Sequence, residues 1–284
     1  MADTLDKLLV RRAFSSAAER YDEVAELQRE IGQRMLERLR LVTLRPETIL
    51  DLGAGTGVAS MALLERYPKA RLVALDFALP MLLQTRKRGR LFRRPRCLCA
   101  DLECLPLRDA SIDLIYSNAA IQWCNDLDAT FAELQRVLRP GGLLMFTTFG
   151  PDTLKELRLA WSQADGYSHV TPFPDMHEVG DALVRAGFAD PVMDIDRMTL
   201  TYREVDQLMR ELKILGAHNV SSGRQRGLTG KGRLMAMKGA YEGFRRDGRL
   251  PASYEVVYGH AWAPLQQTRN GVTTIATELL GRRR

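Results

Sequence analysis

The sequence predicts an α/β protein built on a doubly wound, mostly parallel sheet. Five strand-sized apolar runs alternate with helix-periodic segments, and a glycine-rich turn follows the first run. The chain has 284 residues, of which 45% are hydrophobic and 27% are charged. This composition supplies a sizeable core and excludes disordered, collagen-like and coiled-coil proteins.

The elements follow in a regular order. From about Ala18 to Leu41, apolar residues recur every three or four positions, which predicts one amphipathic helix. Pro140, Gly141 and Gly142 are predicted to stop a helix before the fifth strand. The predicted strands are 48–51, 71–76, 96–100, 111–117 and 143–149, and the predicted helices between them are 58–67, 79–90 and 127–138.

The pattern changes after residue 149. The sequence predicts helices at 153–164 and 176–186, a strand at 191–201, helices at 202–216 and 230–246, and a strand at 252–262. We expect the two late strands to complete the sheet as an antiparallel pair. The expected units are an N-terminal helical cap (1–47), a core (48–201), a helical lid insertion (202–250), and a last strand with a C-terminal tail (251–284).

Basic residues are concentrated in two regions of the chain. The formal charge is +6, from 41 Lys and Arg against 35 Asp and Glu. The segment 86–96 is rich in Arg and Lys and holds no acid, and the segment 210–246 is also strongly basic. An anionic macromolecular partner is therefore expected. Apolar runs are too short to span a membrane and no signal peptide is evident, so we expect a cytoplasmic protein with no membrane association.

The four cysteines predict neither a disulfide framework nor a metal site. They are Cys97, Cys99, Cys104 and Cys124, with no CxxC pair and no histidine at zinc-ligand spacing. The alternation of Cys97 and Cys99 predicts one face of a buried strand.

The segment 49–57 (ILDLGAGTG) is a strand that enters a glycine-rich turn at the start of a helix. Side chains at Gly53, Gly55 and Gly57 would block the approach of a ligand to the backbone. Asp76 ends the next strand, where its carboxylate can accept both hydroxyls of a ribose. This context predicts a nucleoside cofactor site.

Asp51 distinguishes between two classes of cofactor. A carboxylate on the strand before the turn would repel a pyrophosphate but suits a cationic ligand such as S-adenosylmethionine. The segment DLGAGTG resembles motif I of the class I S-adenosylmethionine-dependent methyltransferases, whose fold is Rossmann-like, and the resemblance covers roughly residues 48–149.

The resemblance implies further cofactor-binding residues. In the segment 100–102, Asp101 would accept the adenine amine and Leu102 would offer a backbone amide. Phe77 and Met81 would pack against the ribose and adenine, or belong to an ordinary helix core. Asn118 and Gln122, in the segment 112–123 (IDLIYSNAAIQW), would flank the methyl group.

Three other segments resemble the malonyl-[acyl-carrier protein] O-methyltransferases of biotin synthesis. They lie at 12–22, at 121–127 (IQWCNDL) and at 208–217, so the likeness extends over nearly the whole chain. The resemblance implies methyl transfer from S-adenosylmethionine to the free carboxylate of malonyl-acyl carrier protein. Because carrier proteins are acidic, we expect the partner to dock on the basic insertion.

A malonyl carboxylate is already ionised at neutral pH, so its methylation needs no general base and no metal. Arg210 and Lys213, three apart on one helix, are the candidate cations that steer the carboxylate, or are solvated lid charges. Tyr21 and Phe14 are expected to close over the cofactor or to serve packing alone, and His218 and Asn219 form a further candidate polar pair. His169, His177 and His260 are expected to be surface or structural residues.

Three alternatives remain open at this point. The segments 150–157 and 252–262 also resemble a mitochondrial assembly factor of respiratory complex I that is described as a protein arginine hydroxylase, although no H-x-D/E pair begins an iron site. The basic runs would suit an RNA methyltransferase, but residues 117–120 (SNAA) lack the motif of base-acting enzymes, so no nucleic acid is expected. The third alternative is a non-catalytic, cofactor-binding scaffold. For a methyltransferase, the sequence also leaves open whether the acceptor is another small carboxylate and whether a malonyl group is carried on the carrier protein or on coenzyme A.

Overall fold

A seven-stranded sheet organises the described part of the chain in this computed structural model, which covers residues 4–89, 93–217, 219, 230–269 and 272–275. The strand order is β3-β2-β1-β4-β5-β7-β6. The sheet strands are β1 (Thr48–Leu52), β2 (Arg71–Asp76), β3 (Arg96–Cys99), β4 (Ile112–Ser117), β5 (Leu138–Phe149), β6 (Ala189–Tyr202) and β7 (Leu250–Trp262).

The first five strands are parallel, and β7 lies antiparallel between β5 and β6. The predicted doubly wound α/β fold with antiparallel late strands is therefore confirmed. The chain reverses its direction of winding between β1 and β4, where side chains at the carboxyl ends of parallel strands face an open crevice. This crevice contains the candidate site.

Helices cover both faces of the sheet. Leu27 and Ile31 of α3 belong to one buried cluster, and Phe131 and Leu134 of α6 belong to the cluster on the opposite face. The helices are α1 (Lys7–Ala17), α2 (Tyr21–Val24), α3 (Glu26–Leu39), α4 (Val58–Arg66), α5 (Leu79–Arg88), α6 (Leu127–Val137), α7 (Lys155–Ser162), α8 (Met176–Arg185), α9 (Val205–Ile214) and α10 (Lys231–Glu242), with a short 3₁₀ turn at Ile121–Trp123.

The N-terminal region differs from the single predicted helix. The helical conformation is interrupted at Ala25, whose ψ of 36° ends α2 before α3 begins. An additional helix, α1, begins after Asp6, whose carboxylate accepts hydrogen bonds from the amides of Leu8 and Leu9. It buries Val10 and Ala17, and α1 packs on α5.

The prediction of a buried strand at Cys97 and Cys99 is wrong. Strand β3 is an edge of the sheet, and both cysteines are exposed, as is Cys104. Alternate residues of a strand are buried only where another element covers that face of the sheet, and the face shared by Cys97 and Cys99 is left exposed at this edge. The described cysteines form no disulfide, and no group of three potential metal ligands occurs within the described ranges.

The predicted helical insertion between the last two sheet strands is present as α9 and α10. The hydroxyl of Tyr241 in α10 is buried and donates to the carbonyl of Pro251 at 2.9 Å, which attaches the insertion to β7. After β7, the strands β8 (Gln266–Arg269) and β9 (Val272–Ile275) form a hairpin that the sequence did not predict. Of the helices in the described segments, none combines the length and apolar character needed to span a bilayer.

Candidate active site

The glycine-rich turn after β1 has three residues with positive φ: Gly53 (72°), Gly55 (55°) and Gly57 (85°). The amides of Gly53 and Ala54 donate to the carbonyl of Leu75, so the turn is tied to the end of β2. A Cβ on Gly53 would lie 2.3 Å from the Cβ of Ala120, whereas one on Gly55 would meet nothing within 4 Å. Gly55 therefore borders open space, as required for a ligand that approaches the backbone.

Two buried carboxylates lie beside this turn. Asp76 accepts hydrogen bonds from the amides of Gly55 (2.9 Å) and Ala78 (2.8 Å), and burial raises its pKa to about 6. Asp51 accepts from the hydroxyl of Ser60 at 2.5 Å, and burial, with a smaller contribution from the charge of Asp76, raises its pKa to about 7. A cationic ligand would relieve the cost of these buried charges, so the residues fit a sulfonium nucleoside.

A narrow pocket of about 60 Å³ opens from the turn and is closed above by α1 and α2. Lys7 of α1 lies 3.1 Å from Asp101 and 2.9 Å from Glu103, beside the expected adenine position. The pocket is lined by nine of the predicted cofactor residues: Tyr21, Gly53, Gly55, Asp76, Phe77, Met81, Asp101, Leu102 and Asn118.

Three other predicted cofactor residues lie outside the lining of this pocket. Asp51 is 1% exposed and points to α4. Gly57 is the N-cap of α4, and a Cβ there would lie 2.7 Å from Thr85, so close packing requires glycine at this position. Gln122 lines a second, larger cavity instead.

The second cavity has a volume of about 500 Å³ and shares Phe14, Tyr21, Ala119 and Trp123 with the cofactor pocket. Phe14 packs edge-on against Trp123, with ring centroids 5.3 Å apart. Burial raises the pKa of the Tyr21 hydroxyl, so that it stays protonated. An aromatic wall thus separates two adjoining spaces, one suited to a nucleoside and one suited to an acceptor.

Polar atoms line the larger cavity at few points. The Gln122 side chain donates to the carbonyl of Ala119 at 2.7 Å, and its Oε1 is buried without a partner, as is Oε1 of Gln28. Both residues line the cavity. Buried amide oxygens without partners are costly, so these atoms are available to accept hydrogen bonds from a ligand or from water in the cavity.

The candidate substrate residues are only partly brought together. Lys213 lines the cavity, near Glu211, which accepts from the hydroxyl of Tyr202 at 2.7 Å. Arg210 is exposed and lies outside the cavity lining. Asn219 lines the cavity and donates to the carbonyl of Ser168 at 2.6 Å. His218 lies outside the described residues.

His169 is one of the polar residues of the cavity that the sequence analysis did not name as a candidate site residue. His169 was expected to be a surface or structural residue, but it lines the acceptor cavity. Its ring is stacked on Trp161 with centroids 3.7 Å apart, and its Nε2 lies 2.9 Å from Asp165. The four-residue spacing of Asp165 and His169 was the available signal, but it falls in an irregular segment after α7. Of the other two histidines that were expected to be surface or structural, His177 is exposed and His260 is half-buried on β7.

Comparisons with known proteins agree with this arrangement. Residues 50–146 match the family described as "Methyltransferase domain". A crystal structure of a Bacillus halodurans protein described as a methyltransferase superposes with a TM-score of 0.60 at 18% identity, over 82% of this chain and 99% of that chain, which shows the fold. A structure described as an S-adenosylmethionine-dependent methyltransferase from Thermotoga maritima gives a TM-score of 0.52 at 16% identity, over 89% and 99% of the two chains.

Curated relatives are much more similar in sequence. The malonyl-[acyl-carrier protein] O-methyltransferase of Methylovorus sp. is 56% identical over 92% of this chain and 90% of the relative. The enzyme of the same name from Gallionella capsiferriformans is 52% identical over 96% and 97% of the two chains. The chain therefore belongs to the malonyl-[acyl-carrier protein] O-methyltransferase family of S-adenosylmethionine-dependent enzymes.

Proposed function

We propose that this chain methylates the free carboxylate of a malonyl group carried as a thioester on acyl carrier protein, which by resemblance is an early step of biotin synthesis. The observation behind the proposal is the pair of adjoining cavities, of which the larger is mostly apolar and has Lys213 in its lining. The names of the curated relatives supply the acceptor.

The protein holds the two reactants on either side of the aromatic wall. Asp76 would accept hydrogen bonds from the ribose and Asp101 from the adenine, while the buried charge of Asp51 favours the cationic end of the ligand. S-adenosylmethionine, when bound, supplies a methyl group activated by a sulfonium. Phe14, Tyr21 and Trp123 keep water from the boundary between the cavities.

Transfer requires alignment of the carboxylate and no proton movement. A carboxylate oxygen forms a bond to the methyl carbon as the carbon–sulfur bond breaks, so no general base is needed. We propose that Lys213 orients the carboxylate, with Arg210 and Asn219 as further candidates at the lid and with His169 as another polar residue of the cavity lining. Lys213 is exposed, so its charge is only partly desolvated and leaves the carboxylate nucleophilic.

Transfer of a labelled methyl group from S-adenosylmethionine tests this proposal. Malonyl, acetyl and succinyl carrier proteins, malonyl coenzyme A and bulk RNA would serve as acceptors. We expect an ester on the malonyl acceptors only, because acetyl lacks a carboxylate and succinyl places it one carbon further. Methylation of RNA, or cofactor binding without transfer to any acceptor, would overturn the proposal.

A further inference from the structure

A second basic surface, on the opposite side of α1 from the cavity, has no role in the chemistry described above. An open groove of about 690 Å³ lies between α1 and α5 and is lined by Ser15, Ser16, Pro80, Leu83, Arg86, Lys87 and Arg94, with Glu19 as its acidic residue. We call it the α1–α5 groove. It includes part of the basic run from Arg86 to Arg96 that the sequence analysis singled out.

The α1–α5 groove combines an apolar strip with a basic border. Leu83 lines the groove and is 48% exposed. Leu79, four residues earlier on the same face of α5 and 56% exposed, extends this apolar face beyond the groove lining. Arg86 and Lys87 follow one turn later and are exposed, as is Arg94. Exposed leucines beside cations suit an acidic amphipathic protein surface. They suit a nucleic acid less well, because the described residues that line the groove include no aromatic side chain on which bases could stack.

The cations of the α1–α5 groove differ from those of the insertion in their partners. Within the described ranges, no ion pair joins Arg86, Lys87 or Arg94 to an acid. In the insertion, Arg233, Lys238 and Arg245 already pair with Asp165, Asp206 and Glu242, and of its described cations Lys231 and Arg246 are among those with no acidic partner. Unpaired charge attracts an acidic partner more strongly than charge that is already neutralised locally.

Helix α1 connects this groove to the acceptor cavity. Phe14 lines the cavity, and the next two residues, Ser15 and Ser16, line the groove. The end of α9 also contacts α1 here, since a Cβ on Gly216 would lie 3.1 Å from the carbonyl of Ala13. The two spaces are therefore separated by about the width of one helix, roughly 10 Å.

We propose that the acidic acyl carrier protein docks in the α1–α5 groove and passes its flexible thioester arm over α1 into the acceptor cavity. This proposal rests on the proposed function, and it places the partner on α5 instead of on the helical insertion. Border cations of this kind chiefly speed encounter, and salt weakens their effect.

The test is steady-state methyl transfer with malonyl-acyl carrier protein and malonyl coenzyme A as alternative acceptors. The triple variant R86E/K87E/R94E reverses the charge of three cations that line the groove. The double variant K231E/R246E reverses the charge of two exposed cations of the insertion. We expect the triple variant to raise KM for the carrier protein about tenfold or more, with weaker salt dependence, and to leave kcat and the use of malonyl coenzyme A unchanged.

The kinetics of the two variants and of the wild type distinguish docking in the groove from the other possibilities. A larger rise in KM for K231E/R246E than for the triple variant would overturn the groove in favour of the insertion. An equal loss with both acceptors, with an unchanged melting temperature, would also overturn it. Binding of bulk RNA by the wild type but not by the triple variant, with unchanged carrier-protein kinetics, would overturn the proposal and assign the groove to nucleic acid. Absence of transfer to any malonyl acceptor by the wild type would instead remove the proposed function.

Discussion

The buried carboxylates of Asp51 and Asp76 make the stability of the ligand-free protein depend on pH. Both groups have an ordinary pKa of 3.8, which burial raises to about 7 and about 6. At pH values between the ordinary pKa and the raised pKa of each group, the folded protein keeps a proton that the unfolded chain has released. Their stabilising contribution is therefore complete below about pH 4 and is lost as pH rises through 6 and 7.

Asp51→Asn isolates this effect. We expect the free energy of unfolding of the variant, relative to the wild type, to rise by about 3 kcal/mol between about pH 5 and about pH 8, because only the wild type loses stability on ionisation of this side chain. Urea denaturation of ligand-free protein at the two pH values measures the difference. A difference between variant and wild type that stays constant with pH would contradict the assignment.

Lys213 and Arg210 occupy different positions despite their spacing of three residues on α9. Only Lys213 lines the acceptor cavity. We expect Lys213→Ala to raise KM for the malonyl acceptor about tenfold, the cost of about 1.4 kcal/mol of charge-assisted contact, with unchanged affinity for S-adenosylmethionine. Arg210→Ala is the matched control and should have a smaller effect on methyl-transfer kinetics. A larger effect for Arg210→Ala would mean that α9 rearranges when substrate binds.

At the scale of elements, the glycines of the turn between β1 and α4 have different roles. Close packing requires glycine at positions 53 and 57, whereas Gly55 borders the open cofactor pocket. Gly55 and Gly248 both have positive φ, of 55° and 73°, and a Cβ on either would meet nothing within 4 Å. Alanine at either position should therefore cost about 1–2 kcal/mol of folding stability from backbone strain alone. Only the Cβ at position 55 would project into the cofactor pocket.

We expect Gly55→Ala to weaken binding of S-adenosylmethionine at least tenfold and Gly248→Ala to leave it unchanged, because only the first adds atoms where the ligand approaches the backbone. Calorimetric titration of both variants, with their melting temperatures, measures this. Equal affinities would place the ligand away from Gly55.

At the scale of the whole molecule, α1 and α2 form a cap over the carboxyl edge of the sheet. Phe14 and Tyr21 line both cavities, and Lys7 reaches Asp101. Ligand bound beneath this cap stabilises only conformations in which the cap is closed.

We therefore expect S-adenosylmethionine to slow amide hydrogen exchange in residues 7–24 and 53–57. Strand β7, paired on both sides and away from the cofactor pocket, is the internal control. Protection of the turn without protection of 7–24 would show that the cap does not respond to the ligand.

The alternation of apolar strands with helices, the left-handed glycines of the turn and the acid at the end of β2 are local features. They are fixed by backbone sterics and by the period of burial along each element, so the sequence predicted the parallel sheet and the glycine-rich turn directly. The resemblance to class I methyltransferases, together with Asp51, indicated the cofactor class and implied most of the other residues that line the cofactor pocket. The break at Ala25 and the edge position of β3 were not predictable in this way, because each depends on which neighbour packs against the element.

Tertiary structure alone decided the composition of the acceptor cavity. It brings His169 and Lys213, 44 positions apart in the sequence, into one lining, places Gln122 there instead of in the cofactor pocket, and leaves Arg210 outside. It also determines which cations have acidic partners. Arg233 of the insertion pairs with the distant Asp165, whereas Arg86 and Lys87 pair with no acid within the described ranges. Contacts of this kind join residues that are far apart in the sequence and that meet only when the chain packs around a shared core. The local periodicity of the sequence does not show which of these residues will meet.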